Sequence, residues 1–176
     1  MSHHWVEIFP ELELIQDEDI RGKVMDVYDQ AMKEGGWTDL KSIPFSLLVE
    51  TELGYVDHVR AVTKMAIESG KIMKEGGFEI DMDALIAGGL LHDVGKLLEY
   101  TTKEGKVVKS EYGKHLRHPI SGAILAKKFG LGDKVVNIIA GHSKEGDHGW
   151  RCNEAIIIHH ADFTYFHIVK ATQYSS

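Results

Sequence analysis

The segment from Met82 to Asp93 constrains the fold more than any other. Met82, Ala84, Leu85, Ile86, Ala87, Leu90 and Leu91 leave it apolar on nearly every side, and it ends in His92-Asp93. A helix without a polar face belongs at the centre of a domain, wrapped by other elements. Amphipathic partners for it are legible on both sides. Asp17 to Glu34 places Ile20, Val24, Val27, Tyr28, Ala31 and Met32 on one face before Gly35-Gly36 stops it. Leu53 to Ser69 turns Tyr55, Val59, Val62 and Ala66 inward and is expected to end at Gly70. Asp81 is placed to cap the central helix. His118-Pro119 opens another helix, because proline suits a first turn, and Ile120, Ala123, Ile124 and Phe129 continue it to Gly130. Asp133 to His142 forms the next, and Asn153 or Glu154 starts a last helix through about Lys170. Trp37 to Pro44 reads as a connector. No convincing strand pair is visible, and the polar stretch Thr101 to Arg117 is expected to be a long loop. The fold class is all-α.

Composition narrows what such a bundle can do. A chain of 176 residues with 43% hydrophobic and 27% charged residues suits one globular domain, without a biased tract. No apolar run approaches the ~18 residues of a membrane span, and Met1 to Pro10 lacks the pattern of a signal peptide. A cytoplasmic protein is therefore expected. Cys152 is the only cysteine, which excludes an internal disulfide and a Cys-rich zinc site. Any metal must use His, Asp or Glu. The formal net charge of −7 speaks against broad capture of a nucleic-acid duplex or an anionic membrane, while leaving room for a local cationic pocket. Lys103, Lys106, Lys109, Lys114 and Arg117, with Lys96 just upstream, supply such cations.

The count of 11 histidines is the unusual number. His58 lies beside the inward stripe of its helix, between Tyr55 and Val62. His92 and Asp93 end the buried helix, with Asp93 sharing a face with Leu90 and Ile86, His142 lies with Ile138 and Ile139, and Asp162 with Ile158 and Phe166. One histidine among aliphatics is more often a hydrogen-bonded core residue than a ligand, but five polar residues so placed call for a common cause. An unpaired buried carboxylate costs far more than the ~1 kcal/mol of ordinary substitutions, so Asp93 and Asp162 need a cation. Imidazole with carboxylate suits Mn, Fe, Co, Ni or Zn, as one or two divalent ions. His159 and His160 occupy two faces of the last helix and are read as non-ligands. His115 and His167 are read as loop or surface residues, His3, His4 and His148 as unremarkable, and the six Met as core filler.

Gly88-Gly89-Leu90-Leu91-His92-Asp93-Val94-Gly95-Lys96 resembles the signature of the HD superfamily, named for its His-Asp pair. Asp57-His58-Val59 resembles the first histidine of that pattern and Ala161-Asp162 its final aspartate, while His118-Pro119 and Gly141-His142 resemble the extra pair of binuclear members. The likeness runs from His58 to Asp162. Residues 1–50 fall outside it and are read as a helical extension packed on a domain spanning 51–176.

The resemblance implies a helical bundle whose central helices converge their ligands. It implies that His58, His92, Asp93 and Asp162 bind one ion, that Asp93 bridges to a second held by His118 and His142, and that metal-activated water attacks phosphorus. Asp93 and Lys96 would carry the catalysis, with Lys96 steadying phosphate oxygens. The plainer reading of Lys96 is a solvated charge after a helix end. The leading expectation is a phosphohydrolase for a nucleotide or other small phosphate ester. The alternative is an HD-fold di-iron oxygenase with the same six ligands, against which Lys96 speaks; a catalytically silent binding module is a third. Cyclic dinucleotides are disfavoured, since the doubled histidine and Gly-Tyr-Pro of that subclass are missing. A homo-oligomer is left open.

Overall fold

The computed structural model describes residues 2–173, the side chains of Ser2 and His3 excepted. The reading of His3 therefore lies outside the described residues. Helices α1 (Ser2–Ile8) and α2 (Glu18–Gly35) come first, and Asp17 caps α2 by accepting from the amides of Asp19 and Ile20. A connector containing a short 3-10 turn, Leu40–Ser42, leads to α3 (Tyr55–Glu75). The helix α4 (Met82–Leu91) follows, capped by Asp81 as its sequence suggested, with Ala84 through Leu91 all buried. Around it stand α3, α8 (Asp133–Gly141) and α9 (Asn153–Thr172), while α2 covers a further side. The all-α reading holds, and among the described residues no helix is long and apolar enough to cross a membrane.

Three expectations need correction. First, α3 runs through Gly70 to Glu75. Gly70 is there for packing: a Cβ on it would stand 2.5 Å from Leu85 and 3.1 Å from Met82, so the missing side chain lets α4 approach α3. Secondly, after α5 (Lys96–Glu99), the stretch Thr101 to Arg117 read as a loop carries most of a hairpin of β1 (Tyr100–Lys103) and β2 (Lys106–Lys109), then α6 (Glu111–His115). The strands pair Tyr100 with Lys109 and Lys103 with Lys106. Glu104 and Gly105 form the two-residue turn with φ of 52° and 76°, and Thr101-Thr102 and Val107-Val108 supply β-branched residues. The signal was a Glu-Gly turn between β-branched pairs, masked by the lysines. Thirdly, Met25, Met32, Met65 and Met82 only flank the core, and Met73 is exposed.

The N-terminal helices share one core with the centre. Trp5, Phe9, Leu12, Val24 and Tyr28 belong to the same buried cluster as Tyr55, Leu90 and Val94. Tyr28 donates from its hydroxyl to the Leu90 carbonyl at 2.5 Å, satisfying an acceptor left open where α4 stops. After Phe129, α7 (His118–Lys128) ends with Gly130 at φ 74°.

Candidate metal centre

The central helix stops at Leu91, two residues short of the expected end, and residues 92–95 turn before α5 begins. That turn aims two functional side chains. His92, in the cap position, folds its Nδ1 back 2.7 Å onto the carbonyl of Gly89. His142 repeats the device after α8, with Nδ1 2.7 Å from the carbonyl of Ile139. A carbonyl only accepts, so in both imidazoles Nδ1 carries the hydrogen and a neutral ring presents a bare Nε2. His118, the first residue of α7, sets its Nδ1 2.8 Å from Glu99 Oε2. His58 sits fully buried in α3, and its Nδ1 has no partner among the described residues.

All six sequence-predicted ligands come together, and Asp93 stands between two groups of them. Its Oδ2 faces His58 Nε2 at 3.1 Å and His92 Nε2 at 3.5 Å. Its Oδ1 faces His118 Nε2 at 3.2 Å and His142 Nε2 at 3.5 Å. Asp162 Oδ1, from α9, lies 3.1 Å from His58 Nε2 and 4.0 Å from His92 Nε2. Bonds of about 2.0–2.2 Å at tetrahedral or octahedral angles separate neighbouring ligands by about 3.0–3.5 Å, the spacing of all these pairs but His92 and Asp162. In their neutral forms, His92, His118 and His142 would aim Nε2 lone pairs at carboxylate oxygens, an arrangement that a cation relieves. The donor set therefore fits one or two divalent ions. His58, His92 and Asp93 form one group that could hold an ion, and Asp93, His118 and His142 the other.

Charge compensation without an ion comes from Lys96. It is 7% exposed, and its Nζ donates to Asp93 Oδ2 at 2.6 Å and to the Phe45 carbonyl at 2.7 Å. A solvated helix-end lysine is thereby ruled out. Burial pushes the Asp93 carboxyl up, but the Lys96 ammonium and then the imidazoles around it prevail and hold it well below the usual carboxylate range. Burial also pulls Lys96 down, and the Asp93 carboxylate more than reverses that. For Asp162 burial is again opposed, first by the His58 hydrogen bond, leaving a pKa of about 2. Burial dominates at His118 and takes it down to about 4, so this ring is neutral near pH 7.

The family model for the HD domain matches residues 55–164. The chain belongs to the HD-domain family. It is 32% identical over 161 residues to the dihydroneopterin 2',3'-cyclic phosphate phosphodiesterase of Methanocaldococcus jannaschii, across 85% of this chain and 64% of that protein. It is also similar to ribonuclease Y of Clostridium tetani, 35% identical over 103 residues, and of Pseudothermotoga lettingae, 32% over 83 residues. Those alignments cover 57% and 47% of this chain but only 17% and 14% of the ribonucleases. The chain thus spans less than two thirds of the length of these relatives. No solved structure matches.

The HD centre opens into a cavity of about 430 Å³. Asp93, Asp162 and His118 line it, with Lys96, Lys109, Arg117 and Lys144 as cations and Phe45, Phe163 and Phe166 as aromatic rings. Sequence reasoning missed part of this wall. Phe45 to Leu48 precede the HD match yet line the cavity, and Phe45 is tied to the centre by its carbonyl, which accepts from Lys96, and by its ring, 4.6 Å from that of His58. No residue type in that segment signals such a role. Lys103, Lys106 and Lys114 do not line the cavity, so the cationic loop contributes through Lys109 and Arg117. His115, His160 and His167 are exposed, and His159 accepts a structural task with Nδ1 2.7 Å from the His142 carbonyl. A larger groove of about 890 Å³ between α3 and α9, lined by Met65, Ile72, Phe78 and Ile156, contains none of the six clustered residues.

Proposed function

We propose that this HD-domain protein is a metal-dependent phosphohydrolase for a small phosphate ester carrying a planar heteroaromatic group, and that a cyclic phosphodiester is its preferred bond. The observation that carries the reading is the divided environment of Asp93: each oxygen faces its own pair of imidazoles, at a cavity lined by both cations and aromatic rings. The Methanocaldococcus relative, named for a pterin cyclic phosphate, supports both the bond type and the ring. A nucleotide offers the same combination of ring and phosphate. The cavity volume suits one such molecule.

A divalent ion bound here supplies a water of lowered pKa and neutralises charge on the phosphoryl oxygens. His58, His92, Asp93 and Asp162 are assigned to one ion, and Asp93, His118 and His142 to the second. Lys96 has committed two of its three donors, to Asp93 and Phe45, which leaves one for a phosphate oxygen. Phe163 and Phe166 offer faces on which a heterocycle can stack. The ribonuclease relatives bring RNA as a substrate, and the net charge of −7 opposes sequence-independent capture of that polyanion.

The test is purification without added metal, elemental analysis, and assays of 2',3'-cyclic nucleotides, nucleoside monophosphates and a pterin cyclic phosphate. The expected outcome is metal-dependent ring opening or phosphate release that a chelator stops. Two irons per chain with oxygen consumption and no hydrolysis would overturn the proposal in favour of the di-iron oxygenase.

A further inference from the structure

Glu99 is a buried carboxylate, 1% exposed, with both of its oxygens occupied. Oε2 accepts from His118 Nδ1 at 2.8 Å and from the His118 backbone amide at 2.7 Å. Oε1 accepts from Arg117 Nη1 at 3.0 Å, and Lys109 Nζ stands 3.4 Å from it. Among the four clustered histidines this is the only ring backed by a carboxylate: His92 and His142 lean on backbone carbonyls, and His58 Nδ1 is bare.

We infer that Glu99 is a positioning residue that makes the His118 and His142 half of the centre able to hold its own ion. The inference rests on the reading that the cluster binds metal. The two halves start unequal in charge. The first has two carboxylates, Asp93 and Asp162, whereas the second has only its share of Asp93. A carboxylate hydrogen-bonded to the far nitrogen of a ligating imidazole fixes the ring's tautomer and raises its basicity, which delivers part of the missing negative charge to Nε2.

Orientation comes from the same contact. His118 opens α7, and its helix has no side-chain cap from Arg117 in the N-cap position. Glu99 holds both the first amide of α7 and the ring of that residue, so two bonds to a single side chain set where His118 starts and which way Nε2 points. Glu99 is itself held. Its carbonyl accepts from the Ser110 amide at 2.8 Å, and Gly113 lies so close that a Cβ there would stand 2.3 Å from that oxygen. The hairpin and α6 therefore brace the residue that braces the ligand.

Glu99→Gln tests this by keeping the size and removing the charge. A glutamine has one acceptor oxygen, so its amide group must point either at the His118 donors or at Arg117 and Lys109. Mn²⁺ is titrated calorimetrically into metal-stripped full-length protein, with apo-protein melting followed in parallel. Wild type is expected to bind two ions, and Glu99→Gln to bind the second about 10–100-fold more weakly with the first unchanged. If the variant does not fold, Glu99→Asp, which restores the charge at a longer reach, must show the same selective loss at smaller size. Equal weakening of both ions in step with a lower melting temperature would mark Glu99 as merely structural and overturn the inference, as would two undisturbed ions. Wild type that binds no ion, or only one, overturns the two-ion reading and this inference with it.

Discussion

The two halves around Asp93 are built by different means. His58, in the first turn of α3, and Asp162, midway along α9, stand on buried faces of long helices that pack directly on each other and on α4. Their positions follow from the burial of the faces that carry them. His118 and His142 stand at helix ends, where the last or first turn does not by itself fix a side chain, and each needs a hydrogen bond at Nδ1 to be aimed. Ligands on buried helix faces are placed by packing, and ligands at helix ends are placed by capping contacts. The first half, in which only His92 depends on such a contact, is therefore expected to tolerate loss of a hydrogen bond better than the second, in which both histidines depend on one.

Asp93 belongs to both halves, so its replacement should produce the largest effect and erase the difference between them. Asp93→Asn keeps the shape and an acceptor for Lys96 but removes the charge that both imidazole pairs face. Metal content should fall below one ion per chain, and turnover by about 10³-fold or more, as for loss of a central electrostatic group. One ion retained at wild-type affinity would show that Asp93 serves a single half.

The same division explains what the sequence makes legible. Periodicity finds His58 and Asp162 because a residue inside a helix inherits the face of its neighbours at three and four positions. It also places Asp93 correctly for an incorrect reason: the residue lies past the end of α4, in a turn, and not on the face shared with Leu90 and Ile86. Motif resemblance alone brings His118 into the set, while His142 is found by periodicity and by resemblance together. Glu99 has no such signal, because its role depends on a hairpin and a helix start meeting in space, and the hairpin itself was hidden among lysines. Phe45 to Leu48 escape for the same reason, since Phe45 meets Lys96, Tyr165 and Phe166, all far from it in sequence.

Two glycines allow the second half to be disturbed and compared with a milder change beside the first. A Cβ on Gly95 would stand 2.1 Å from the His118 carbonyl, 2.6 Å from Ser121 Oγ and 2.8 Å from the Gly122 amide. Backbone cannot yield there, so α7 has to move. Gly95→Ala should cost about 1–3 kcal/mol of stability and displace His118, weakening the second ion before the first. On the other side, a Cβ on Gly89 would meet Thr63 Oγ1 at 3.0 Å and Ile158 Cδ1 at 3.1 Å, contacts that small shifts relieve. Gly89→Ala should lose less stability and keep both ions. Denaturant melts together with metal titrations of the two variants check this, and preferential loss of the first ion in Gly95→Ala would contradict it.

Lys96 should show the smallest effect on ion binding, because an ion and Lys96 compensate the same carboxylate. Lys96→Met preserves the buried stem but leaves Asp93 Oδ2 and the Phe45 carbonyl without their donor. The metal-free variant should lose about 2 kcal/mol, the scale of a hydrogen bond to a charged group. Added metal restores the missing positive charge at Asp93, so the rise in melting temperature on metal binding should be larger in the variant than in wild type. Turnover has no such substitute. A phosphate oxygen that relied on the third donor loses it, and hydrolysis should fall about 10²-fold with both ions still bound. Equal metal-induced shifts in the two proteins would mean that Lys96 and the ions do not share Asp93, and undiminished hydrolysis would remove Lys96 from the phosphate.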